Sequence, residues 1–72
     1  MTDTKELEKI IKDSGLKKSF LAKALNLSRQ GFMDKCRNKY PFTATEINIL
    51  CRLLKIIKLT DKERIFFKNS VI

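Results

Sequence analysis

Apolar residues in this 72-residue chain recur at intervals of three and four along most of its length, the spacing that gathers side chains on one stripe of an α-helix. The first stripe is Leu7, Ile10 and Ile11. Asp3 and Glu6 precede it with the spacing of a capping box, and Gly15 follows it, the residue best suited to the left-handed turn that ends a helix. This predicts a helix over about residues 4 to 14. A second run, Lys17 to Leu25, holds Phe20, Leu21, Ala22, Ala24 and Leu25 and closes on Asn26, which tolerates a positive φ. Ser28 is a good N-cap for a third helix reaching about Asn38, with Phe32 and Cys36 one turn apart on the same face.

The segment Lys39-Tyr40-Pro41-Phe42 breaks the chain. Thr43 with Glu46 is a second capping box, opening a fourth helix that points Ile47, Leu50, Cys51 and Leu54 inward. Thr60 with Glu63 repeats the spacing ahead of Ile65, Phe66 and Phe67 and predicts a fifth helix. Three consecutive apolar residues cannot all face one core. This end, with Val71 and Ile72, is a candidate contact surface, or Phe66 closes the core with Phe67 partly exposed and the last residues fraying. With two glycines, one proline and no low-complexity tract, little is left for strands or linkers. The expected fold is all-α, a compact five-helix bundle forming a single domain over residues 1–72.

Size and charge narrow the functional classes. A chain this short buries a core that only just outweighs chain entropy, and it has little room for an enzyme pocket. The formal charge is +8, from 16 Lys and Arg against 8 Asp and Glu. Residues 17 to 39 carry 7 basic and 1 acidic side chains, so six of the eight net charges sit in the middle third. A charge so concentrated suggests a face for a polyanion, against the ordinary alternative of solvated lysines. Two cysteines and no histidine are too few ligands for a structural zinc site. Cys51 is expected in the core and Cys36 half-buried. The chain lacks a glycine-rich phosphate loop and carboxylates paired near a nucleophile, so neither an enzyme nor a cofactor is expected. No apolar run approaches the ~20 residues of a membrane span, and the N-terminus does not read as a signal peptide. The expected location is the cytoplasm.

A connection of about three residues between the second and third helices, the third one basic, is the helix-turn-helix arrangement, here at about residues 18 to 37. The stretch "FLAKALNLSRQGFMDKCRNKYPFTATEINILCRLLKI" resembles the Cro and phage-repressor type of helix-turn-helix domain. In that type the second helix carries L-A-x-x-L, a Gly or Asn turn follows, and Ser or Thr caps the recognition helix. With "FTATEINILCRLLKI" and "ERIFF" the chain is most similar to regulators of temperate phages of low-GC Gram-positive bacteria, among them the small modulator-of-repression (antirepressor) proteins of lactococcal phages. The resemblance implies a transcription regulator of the lysis or lysogeny decision in a bacterial host cell. It also implies a heterocomplex with the phage's lysogenic repressor, and operator DNA as a further partner.

By that resemblance Lys18 stands where a Gln commonly fixes a phosphate, and Arg29 and Gln30 match the first two base-reading positions. Their chemistry suits guanine and adenine edges. Gly31 replaces a third reader and costs ~1 kcal/mol of helix stability relative to Ala. Met33 and Asp34 are expected on the exposed side, where Asp34 repels phosphate unless it accepts from a cytosine amine. Ser28 caps the helix, and Lys35, Arg37 and Lys39 restore positive charge along it. Two clear readers predict weak DNA binding by the protein alone. Phe20 and Ala24 are apolar where the pattern is usually polar. Together with Met33 they form a candidate partner-binding strip, although Phe20 has an alternative place under the first helix against Leu16. The competing expectation is an autonomous Cro-like operator binder acting as a homodimer.

Overall fold

The computed structural model describes residues 1–67 and builds them from α1 (Thr4–Ser14), α2 (Lys18–Ala24), α3 (Arg29–Cys36), α4 (Ala44–Leu53) and α5 (Leu59–Phe66), with no strand among the described residues. Val71 and Ile72, named above as part of a candidate contact surface, lie outside them.

Each helix start and stop has a local cause. The Asp3 carboxylate accepts the Glu6 N–H at 3.2 Å and so caps α1, while Gly15 at φ 77° sends its N–H back to Lys12. Asn26 takes the left-handed conformation at φ 59°, which turns the chain after α2 within the four residues Leu25 to Ser28. Ser28 accepts the Gly31 N–H at 3.0 Å and starts α3. Asn38, also left-handed at φ 67°, ends that helix earlier than the apolar pattern suggested. Thr43 and Glu46 complete the reciprocal capping box of α4.

The third expected capping box does not form. α5 begins at Leu59 behind Lys58, which has no side-chain cap bond, and Thr60 lies inside its first turn. The physical reason is the shortness of the α4–α5 connection. Lys55 turns the chain at φ 59°, Ile56 drops into the core, and the Lys58 carbonyl already collects the N–H groups of Asp61 and Lys62.

Phe32, Leu7, Leu21, Leu50, Ile65 and Cys36 are the most deeply buried side chains, so all five helices contribute to one core. Cys36 is therefore fully buried and not half-buried as expected, because it lies one turn below Phe32 on the inward stripe of α3. Phe42, in the loop before α4, packs edge-to-face on Phe32 at 6.2 Å and on Phe66 at 5.9 Å between ring centres. Phe66 closes the core and Phe67 is exposed.

The segment of chain before α1 fixes the far end of α3. Thr2 donates its N–H to the Asn38 side chain at 2.8 Å and accepts from it at 2.9 Å. The Thr4 hydroxyl donates to the Cys36 carbonyl at 2.6 Å, and the Asp3 N–H to that of Ile65 at 2.6 Å. These bonds satisfy carbonyls that the end of a helix leaves without partners.

Candidate nucleic-acid interface

The site is the exposed end of α3, presented by α2. Leu21, Ala22 and Leu25 bury one side of α2 and Phe32 with Cys36 bury one side of α3, so the two short helices hold each other through their inner faces. Their outer faces carry the charged residues. Ser28 closes the first turn of α3, leaving Arg29 and Gln30 exposed where the helix dipole is positive and favours an anion.

The two base-reading candidates are not equally available. Arg29 makes no ion pair or hydrogen bond among the described residues, so its guanidinium can meet a guanine edge or a phosphate without first breaking anything. Gln30 donates its side-chain amide to Asp34 at 2.8 Å. That i,i+4 bond takes one of the two amide N–H groups of the glutamine, and it holds a carboxylate beside the reader. Met33 and Asp34 are half-buried, less open than the expected outward placement.

Gly31 has a local structural reason. A Cβ built on it would come within 3.1 Å of the Ser28 hydroxyl and 4.0 Å of the Leu27 Cβ. The glycine therefore leaves room for the cap that starts the helix.

The lysines of the region divide. Lys18 pairs with Glu8 of α1 at 2.8 Å, with both side chains partly exposed, and stays at the surface near the start of α2. Lys35 pairs with Glu46 at 2.6 Å and turns toward α4, with only 16% and 12% of the two side chains exposed. Burial alone would raise the Glu46 pKa, but the hydrogen bonds from Lys35 and the Thr43 N–H outweigh it and the net shift is downward. Lys35 is thus committed to holding α3 against α4. Arg37 and Lys39 stand exposed beyond the end of α3, Lys39 over the Tyr40 ring at 5.8 Å, and neither has an ion pair among the described residues.

The site brings together Arg29 and Gln30 at one end of α3 and Arg37 and Lys39 at the other, and it draws Lys35 away. Sequence spacing missed Glu8 and Glu46 as the acids that take two of the lysines, since pairs 10 and 11 residues apart leave no periodic signal. The Gln30–Asp34 bond was missed as well, although its one-turn spacing is a signal that could have found it.

The apolar candidates divide as well. Phe20 is 49% exposed, so it does not tuck under α1, and Ala24 one turn along is exposed too. Cys36 offers no chemistry, since burial, assisted by nearby Glu8, pushes its thiol up to about 12. No group of three or more His, Cys, Asp or Glu capable of holding a metal occurs among the described residues, and no helix among them is long and apolar enough to cross a membrane.

Among known proteins, a family model described as the Cro/C1-type HTH DNA-binding domain matches residues 6–57, from α1 through the turn after α4. No curated protein and no solved structure matches the chain.

Proposed function

The chain belongs to the Cro/C1-type helix-turn-helix DNA-binding family, and from that premise we propose that it is a phage transcription regulator that acts on the lysogenic repressor through a heterocomplex. The observation that carries this reading is the half-exposed Phe20, with exposed Ala24, beside a recognition helix whose second reader is tied to Asp34. Membership of a DNA-binding family makes operator DNA a partner and a transcription regulator the general role. The particulars of this helix weaken autonomous reading: Arg29 is available, Gln30 is engaged, and Gly31 offers no side chain. An aromatic side chain held in water at the edge of the motif is better used as an anchor in a protein pocket. Met33, half-buried on α3, is the third apolar candidate for this contact.

Mixing the protein with the lysogenic repressor of its phage tests the proposal, with complex mass and operator binding measured in one series. A complex of defined mass is expected, and Phe20→Ala should weaken it about tenfold or more while sparing the fold. A Phe20→Ala variant that unfolds, yet binds the repressor normally when folded, returns Phe20 to the core and ends the proposal.

A second reading, the autonomous operator-binding homodimer, draws on the unpaired cations Arg29, Arg37 and Lys39 at both ends of α3. Half-site spacing would then match the protein's own two-fold axis. A wild-type protein showing no preference for operator over random duplex at moderate salt removes this reading.

A further inference from the structure

Outside the helix-turn-helix, the turn joining α4 to α5 exposes two aliphatic side chains more fully than Phe20, the exposed large hydrophobic of the motif. Ile57 is 82% exposed and Leu59 70% exposed. Their placement follows from the backbone: Lys55 in the left-handed conformation and the bond from the Ile56 N–H to the Cys51 carbonyl at 2.8 Å drive Ile56 inward. Ile57 is thereby turned out. The residue after the next lysine, Leu59, opens α5 outside the core.

Three cations share a groove with Ile57, and a fourth adjoins Leu59 in sequence. Arg52, Lys55 and Lys62 line an open groove of about 430 Å³ together with Ile57, and Lys58 lies between the two aliphatics in sequence. None of the four has an ion pair among the described residues, whereas Arg64, further along α5, is paired with both Glu6 and Asp61.

We propose that the α4–α5 turn, with Ile57 and Leu59 as apolar anchors and Arg52, Lys55, Lys58 and Lys62 as its rim, docks an acidic amphipathic segment of a second protein. Charge complementarity selects this occupant. Carboxylates of such a segment meet cations that have no partner here, and its apolar face covers two side chains that water surrounds. A nucleic-acid backbone would match the cations and leave the aliphatics unused. A second copy of the chain, joined by a two-fold contact, would set four cations against four. A bilayer would have only two apolar side chains to receive, short of the face that interfacial binding requires.

The test uses the full chain and a fluorescent synthetic helix of about 15 residues with leucines on one face and glutamates on the other, followed by anisotropy. Binding is expected, weakening as salt rises. Ile57→Ser and Leu59→Ser should each lower affinity about tenfold, with the thermal melt unchanged because neither side chain lies in the core. Equal binding of a glutamate peptide of the same charge without leucines would overturn the proposal, as would unchanged affinity in both variants. A concentration-dependent dimer that Ile57→Ser abolishes would assign the turn to a second copy. Retention on phosphatidylglycerol vesicles that the peptide does not displace would assign it to a membrane surface.

Discussion

Arg29 and Gln30 both stand exposed at the first turn of α3, and their neighbours set them apart. Arg29 is available as it stands, while Gln30 has one of its two amide N–H groups engaged by Asp34 at 2.8 Å. Arg29→Ala is therefore expected to lose ~1–3 kcal/mol of discrimination between operator and random duplex, and Gln30→Ala clearly less. Asp34→Ala should act in the opposite direction, raising DNA affinity by releasing Gln30 and removing a negative charge from the DNA side. A mobility-shift titration of the three variants decides the order. The phenylalanines divide by burial in the same way. Phe32→Ala should destabilise the protein by ~3–5 kcal/mol, because it leaves a cavity where α3 meets the core. Chemical denaturation of that variant beside Phe20→Ala checks whether the cost follows exposure.

At the scale of the element, α3 is a two-turn helix held by its ends. Ser28 supplies one of the amide acceptors that the first turn lacks, so Ser28→Ala should cost ~1 kcal/mol. Gly31 is the obvious target for stabilisation, since Ala is favoured over Gly in a helix by ~1 kcal/mol. A Cβ at that position would press on the Ser28 hydroxyl at 3.1 Å. Gly31→Ala is accordingly expected to gain less than the full propensity difference. In the Ser28→Ala background the obstruction is gone, and the gain should approach its full value. Thermal melts of the two single variants and the double variant measure that coupling directly.

The whole molecule is held by bonds between elements that sequence spacing does not announce. Glu46 both completes the cap of α4 and grips Lys35 of α3, and these bonds lower its pKa below the ordinary 4.5. A group whose folded pKa is depressed stabilises the fold fully above its unfolded value and loses that contribution as pH falls through the folded one. Melting temperature should thus drop on acidification below about the ordinary carboxylate value, with part of that drop missing in Glu46→Gln. A parallel pH dependence in the two proteins would remove Glu46 from the account. The same pair explains why the middle third, rich in cations, does not offer all of them to DNA.

Binary pattern and capping chemistry determined five helices, their order, the Ser28 and Thr43 starts, the Asn26 turn and most of the core, because helix periodicity and caps act within a few residues. The short turn and the family resemblance placed the helix-turn-helix at α2 and α3, while the pattern leaves Phe20 between an exposed strip and a place under α1, and only the packing shows it exposed. Tertiary structure alone decided the rest. Phe42 became the bridge between Phe32 and Phe66, although it lies in a loop with no period to mark it. Cys36 sank fully, and α5 began before Thr60 because the connection from α4 is short. Lys18 and Lys35 found Glu8 and Glu46 on other helices, which only packing brings near. Local rules say which residues turn inward. Which cations remain for a partner depends on where separate helices come to rest, and that is settled by how their side chains fill one small core.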